Sequence, residues 1–404
     1  MKFNINLLKI KASNSNIFWT IAYSLFLFLL TSCLIDISVE RTALKMLYIG
    51  VISLSLFTYL CKYKWQIPFR LIHQIIPDFI LVCIIVFFQL ACREYSPYFA
   101  IKTCLLILIL KLLLIYSHPQ NMKMLSSKSV SFCYIIFTAL IIYNFAFSFY
   151  YVEDSIVFKS INDKNYTAVL MFLYFILCYH FKLKIGMSLG LIYFLFYNSS
   201  RSSILLFLSF LICITFREQI YDILQRFRLD KFWKIFIIIT ACIMGLSFYW
   251  IADISVGPLQ PYRQGLNDES NKMRFTANAY ACELIKKDYK LIYRGYGYDL
   301  KNVMGLQDKN YSNHPRVNGV RLVQPHNSII NVMLRLGVIS GVLYFIIVAS
   351  ILDYLYDKRT LEYIFPYLLN SMFMHSLLDG FIFAIWIFII FLVWIEKKSA
   401  YNED

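Results

Sequence analysis

The stretch His326-Asn327-Ser328-Ile329-Ile330-Asn331-Val332-Met333-Leu334-Arg335-Leu336-Gly337 stands where a long polar segment gives way to an apolar run. Before it, from about 253 to 325, lies the only long polar loop of the chain. After it the sequence stays largely apolar to about 352. A histidine therefore sits where water would meet lipid. A second outlier interrupts apolar sequence further back, at Asn198-Ser199-Ser200-Arg201-Ser202-Ser203.

Outward from these two points the chain is apolar. Of its 404 residues 59% are hydrophobic and 16% charged, against roughly 45–50% and about 25% in soluble domains. The apolar residues form continuous runs, many near the ~20 residues that cross a bilayer as a helix. Alternating strands of a membrane β-barrel are not the pattern. The expected fold class is all-α, a polytopic membrane protein of about twelve spans. They fall near 17–36, 44–61, 73–92, 99–116, 129–151, 166–181, 185–199, 203–216, 235–252, 328–352, 363–378 and 380–395. The first is too long for a signal-peptide core and no small-residue cleavage site follows it, so it reads as a span.

Basic residues orient the bundle. Lys62, Lys64 and Arg70, Lys123 and Lys128, Lys182 and Lys184, the group from Arg217 to Lys234, Lys358 and Arg359, and Lys397 and Lys398 all share one side if both termini are cytoplasmic. The opposite side then carries the long loop, Arg201, the short connection around Glu153-Asp154, and Asp379. The division is spans one to nine in 1–252, an external loop in 253–327, and spans ten to twelve with a tail in 328–404. Between 253 and 325 there are eleven Lys/Arg against seven Asp/Glu. Long loops translocate regardless of charge, so the excess suits an acidic partner. Within the loop, Ser270 can cap an amphipathic helix through Met273, Ala277, Ala281, Leu284 and Ile285. Gly295 and Gly297 end it.

Few residues can carry chemistry. A neutral imidazole at His326 can accept a proton from a hydroxyl at neutral pH, and Asn327 can cap the helix that follows. Taken alone, an interfacial histidine with no chemical role is the simpler reading. An arginine at the membrane boundary such as Arg201 is costly unless it faces protein, water or an anion. Its guanidinium matches phosphate oxygens in pairs, and an outer-face anchor is an equal reading. Arg274 lies on the expected loop helix; Arg263, Arg294, Arg316 and Arg321 lie elsewhere in the loop. Taken alone, each of these reads first as solvated surface. His375 and Asp379 fall four apart on one helix face, and Asp379 can orient an imidazole or neutralise an arginine. Lys111 reads as a snorkelling lysine.

Several classes are excluded. No zinc-type Cys/His spacing and no nucleotide-binding loop occur. The ten cysteines lie mostly in or beside apolar runs, with only Cys282 in the loop. The net charge of +15 sits largely in short topogenic loops and points to no nucleic acid. Without an Asp-x-Asp pair or an ATP motif, a transferase here needs an activated, lipid-borne donor and no metal. Its diphosphate would be held by arginines.

The order of these features resembles the O-antigen ligase and polymerase superfamily of bacterial membrane proteins. Arg201 lies between two late spans, Arg274 on a loop helix; Gly295-x-Gly297 and then His326-Asn327 follow, with Gly337 nine residues further on. The ligase pattern ends three residues beyond that glycine in Gly, Thr or Tyr; here Ser340 holds that position and Gly341 follows. The resemblance implies a metal-independent inverting glycosyltransferase of the Gram-negative inner membrane. It would move O-antigen polysaccharide from undecaprenyl diphosphate to lipid A–core on the periplasmic face, with no cofactor and no ATP. His326 would be the general base. Arg201 and Arg274 would bind the diphosphate, and Arg263, Arg294, Asn327 and Asp379 would belong to the substrate-binding site. A polymerase extending the same lipid-linked glycan is the nearest rival; polymerases of this kind tend to have two sizeable arginine-rich loops, and this chain has one. A transporter of lipid-linked sugars would be expected to show repeats and broken Gly/Pro-rich spans, which the sequence lacks.

Overall fold

The computed structural model describes residues 22–35, 69–91, 97–116, 127–152, 155–226, 277–278, 281, 284–300, 302–304, 324–356, 360–371, 374 and 377–400. The expected spans at 44–61 and 235–252 lie outside the described residues. So do Ser270, Met273, Arg274, Arg263, Arg316, Arg321 and His375.

What is described is mostly helical. The helices are α1 (Ala22–Leu34), α2 (Phe69–Ala91), α3 (Tyr98–Tyr116), α4 (Ser127–Phe147), α5 (Lys164–His180), α6 (Lys184–Phe196), α7 (Arg201–Thr215), α8 (Arg217–Arg226), α9 (Ser328–Leu336), α10 (Val338–Leu355), α11 (Leu361–Ser371) and α12 (Phe381–Ala400). Among the described residues four helices, α2, α3, α4 and α10, are long and apolar enough to cross a membrane. The α7–α8 pair, bent by 80°, makes a fifth if counted as one span.

α5 and α12 are the centre. Every residue of α5 from Tyr166 to Cys178 is buried, as is α12 from Phe383 to Ile395. A helix apolar all round needs neighbours all round, and α5 packs against α6, α7, α12 and the β2 strand defined below. Trp386 of α12 stacks on Tyr367 of α11 with ring centroids 4.1 Å apart. Farther out, α2, α4 and α6 expose Phe79, Phe87, Ile135, Phe147, Leu195 and Phe196. Contiguous apolar faces of this size suit lipid rather than water.

Four sequence expectations change. The fifth span stops at Phe147, and the connection around Glu153-Asp154 is a hairpin of β1 (Phe149–Val152) and β2 (Ser155–Phe158). Phe, Tyr, Val and Ile there favour a pleated strand once Ser148 ends the helix. The tenth span is two helices, divided at Gly337, where φ is +88°. The eleventh ends at Ser371, and Asp379 lies in a bend and not on a helix. Side chains satisfy that bend in place of a helical ladder: the hydroxyls of Tyr367 and Tyr344 donate to the carbonyls of Leu377 and Leu378, each at 2.7 Å. Lastly, Lys111 does not snorkel: it is ion-paired with Asp78, and its Nζ donates to Ser350 Oγ at 2.7 Å.

The loop helix is helical where described, at Ala277, Asn278, Ala281 and 284–287. Two short 3-10 turns follow, Tyr289–Ile292 and Gly297–Asp299. Ala281, Leu284, Leu291, Tyr296, Leu300 and Met304 form a small core with Ile330 and Leu334 of α9. On its other face α9 gives Ile329, Val332 and Leu336 to the main core. One short helix thus joins the loop arm to the membrane body.

Candidate functional site

The site region is built around α9, which begins two residues after His326. Asn327 has extended backbone, φ −147° and ψ 119°, and its Oδ1 accepts from the N–H groups of Ile329 and Ile330 at 2.9 and 3.1 Å. This satisfies two of the four amides that a helix start leaves open. Asn327 is fully buried, and its Nδ2 has no acceptor among the described residues. Ser328 Oγ donates to Met374 O at 2.6 Å and accepts from Leu377 N at 3.0 Å. The start of α9 is thereby tied to the bend that carries Asp379. His326 is partly exposed between buried Pro325 and buried Asn327.

The other end of α9 holds the loop arm. Leu334 O and Leu336 O, near a helix C-terminus, have lost their helical donors. They accept from Tyr296 N at 2.8 Å and from Gln89 Nε2 of α2 at 2.5 Å. The two backbones meet so closely that neither can bear a side chain at the crossing. A Cβ on Gly295 would lie 2.2 Å from the Arg335 carbonyl, and one on Gly337 would lie 2.8 Å from the Arg294 backbone. The glycines of the loop and of the His326 stretch are therefore two halves of one clasp. It fixes the backbone of Arg294, whose side chain is buried.

Arg201 stands on a second support. It is the first residue of α7, and the polar stretch before it is bonded into place. Ser155 Oγ of β2 accepts from Ser199 N at 2.8 Å, and Ile156 N donates to Tyr197 O at 3.0 Å. Ser200 and Ser202 donate to Asn165 Oδ1 of α5 at 2.5 and 3.1 Å, and Ser203 donates to Asn198 Oδ1 at 2.9 Å. The serines that flank Arg201 in the sequence are thus the mounts of the α7 N-terminus on the hairpin and on α5.

Sequence reasoning missed a group of residues beside α9. Lys102 Nζ of α3 donates to the Tyr298 hydroxyl at 3.3 Å and lies 4.6 Å from the Phe381 ring centroid. The Arg335 guanidinium lies 4.9 Å from the Phe99 ring centroid. Asp379, buried, is within electrostatic range of Lys102 and Tyr298. Burial raises the Tyr298 phenol above its ordinary value, with Arg335 opposing and Asp379 reinforcing; it stays a neutral hydroxyl at neutral pH. Of these, only Asp379 was legible in the sequence. Arg335 could have been noticed as a cation on a helix otherwise apolar at i, i+3 and i+4.

Among the described residues no three His, Cys, Asp or Glu converge to hold a metal ion. The arrangement offers a partly exposed imidazole, a set of buried cations and a buried carboxylate at one end of the helices.

No curated protein and no solved structure matches the chain. Residues 186–345 match the family model described as O-antigen ligase, a stretch running from α6 through Arg201 and the loop to α10. Members of that family are glycosyl-transfer enzymes of the ligase and polymerase type. The match takes in Arg201, Gly295 and the whole 326–337 stretch, and over that stretch the chain is similar to the family.

Proposed function

We propose that the protein is an O-antigen ligase of the Gram-negative inner membrane. It transfers O-antigen polysaccharide from undecaprenyl diphosphate to lipid A–core on the periplasmic face, with about twelve spans and both termini cytoplasmic. The observation that carries this reading is the clasped helix α9. One short element holds His326 ahead of its capped start and the Arg294 backbone against its end, inside the region that matches the family.

In the reaction an acceptor hydroxyl attacks the anomeric carbon of the donor sugar from the face opposite the diphosphate. The new C–O bond forms as the bond to the diphosphate oxygen breaks, and that oxygen takes the electron pair. The hydroxyl proton passes to an imidazole nitrogen of His326, late, as the oxygen becomes acidic. Arg201, Arg274, Arg294 and Arg263 meet the charge growing on the leaving diphosphate. Asn327 Nδ2 and Asp379 position sugar hydroxyls or the base. A diphosphate neutralised by arginines needs no metal to leave, and chelation by EDTA leaves the rate unchanged.

The hairpin between α4 and α5 favours ligase over polymerase, because that connection is a short two-stranded turn and not a second large loop. The test is complementation of a strain lacking the gene with wild type, His326→Ala or Arg201→Ala. Lipopolysaccharide is resolved on gels, and the length of lipid-linked glycan is assayed separately. Long lipid-linked chains over a bare lipid A–core in the mutants support the ligase. Single repeat units accumulating on the lipid carrier, or appearing on the core, identify a polymerase. Mutants indistinguishable from wild type at equal expression overturn the catalytic assignment.

A further inference from the structure

The cluster of Lys102, Arg335 and Tyr298 is not used by the proposed transfer. Arg335 is 8% exposed, yet among the described residues it meets only neutral acceptors. Its Nε reaches Asn331 Oδ1 and its Nη2 reaches Gln324 Oε1, both at a long 3.4 Å. Its Nη1 donates to no described residue, and no described carboxylate lies within ion-pair distance of Arg335 or Lys102. The two cations are in electrostatic range of each other, with Tyr98, Cys33 and Asp379 also in range of Lys102. Among the described residues, two buried or half-buried cations against one carboxylate leave positive charge in a place walled by Phe99, Phe381 and the Tyr298 ring. A cation removed from water requires a counter-charge, and the aromatic walls strengthen its pull by excluding water.

We propose that Lys102, Arg335 and Tyr298 form an anion subsite that takes a phosphate group on a lipid-borne substrate. A guanidinium edge, an ammonium and a phenol hydroxyl supply donors for the three free oxygens of a phosphate monoester. The Arg335 guanidinium reaches back along α9 to Asn331 and to Gln324, two residues before His326, so the subsite lies toward the start of α9. That the phosphate it takes belongs to a substrate of the transfer rests on the proposed reaction; the subsite itself does not.

The test uses the full-length protein in neutral detergent. Dihexanoyl phosphatidic acid is the lipid-borne probe, inorganic phosphate the free one, and the matching neutral diglyceride the control. Wild type binds phosphatidic acid and not diglyceride, and binding weakens at least tenfold in Arg335→Gln and in Lys102→Met. Arg335→Lys, which keeps the charge, and Lys184→Gln, at the start of α6, retain binding within threefold. Competition by inorganic phosphate means that the phosphate alone is recognised; lack of competition means that the lipid part is needed, and either supports the subsite. Unliganded melting temperatures identify any variant that fails to fold, and Lys102→Met and Arg335→Lys then carry the comparison. Equal binding by wild type and folded variants, or no binding by wild type, overturns the proposal. His326→Ala binds the probe like wild type, so normal transfer by that variant would sink the ligase mechanism without touching the subsite.

Discussion

The two ends of the helices treat charge in opposite ways. At one end cations meet carboxylates. Lys111 of α3 pairs with Asp78 of α2, Arg217 of α8 with Glu362 of α11, and His180, closing α5, with Glu396 of α12 at 2.5 Å. At the loop-bearing end the cations meet phenols, amides and rings: Lys102 on α3 meets Tyr298 and Phe381, and Arg335 on α9 meets Asn331, Gln324 and Phe99. Matched pairs are closed to further anions, whereas cations matched only by neutral groups hold unspent attraction. The contrast supports the proposed placing of the chemistry at the loop-bearing end, with a structural task for the opposite end.

The largest expected effect tests the loop-bearing end directly. His326→Ala should lower transfer about 10²–10⁴-fold, the usual contribution of a positioned general base, with no change in melting temperature. The readout is the initial rate of glycan transfer to lipid A–core by purified protein. A rate within threefold of wild type would move the base elsewhere.

Next in size is the clasp. Gly337→Ala adds a Cβ at 2.8 Å from the Arg294 backbone at a φ of +88°, and Gly295→Ala adds one at 2.2 Å from the Arg335 carbonyl. Backbone cannot move aside as a flexible side chain can. Each substitution should cost about 3 kcal/mol or more of stability, read as lower folded yield and melting temperature. Gly341→Ala is the contrast, since its Cβ would meet only the Met333 side chain and backbone at 3.1–3.2 Å. If all three alanines behave alike, the clasp is not what holds the arm to α9.

The opposite end should respond in stability and not in rate. Glu362 is almost fully buried, and Arg217 is its partly exposed partner. Arg217→Gln strands the carboxylate and should destabilise by about 1–3 kcal/mol, below the full cost of breaking a buried pair because water reaches Arg217. Replacing both by methionine should recover most of that loss. Transfer per folded molecule stays at the wild-type value in either case. A rate change at constant fold would break the division of labour between the two ends.

How much of this was legible depended on the distance along the chain between the parts. The helical class, four or five of the expected spans and the Asn327 cap are local patterns, and they were readable from 326–337 and the apolar runs. Gly295 and Gly337 were each visible as glycines, but their meeting was not, because 42 positions separate them. The pairing of Lys102 with Tyr298 spans 196 positions. Lys111 was misread for the same reason: within its own helix it looks like a lone lysine, and its carboxylate is on α2. The hairpin at 149–158 was hidden by composition, since Phe, Tyr, Val and Ile serve equally as strand or membrane helix.

The smallest effect separates two roles of one residue. Asn327 caps α9 with its Oδ1 and leaves its buried Nδ2 without an acceptor among the described residues. Asn327→Ala removes both and should cost about 1 kcal/mol through the lost cap, with a modest fall in transfer as His326 loosens. Asn327→Ser restores an oxygen able to cap and still lacks the amide donor. If capping is all that Asn327 does, serine restores stability and rate together. If Nδ2 binds substrate, as the ligase reading has it, serine restores the melting temperature while the rate stays down and KM rises. That split assigns the donor to the ligand, because a helix cap has no means of weakening KM once the helix is whole.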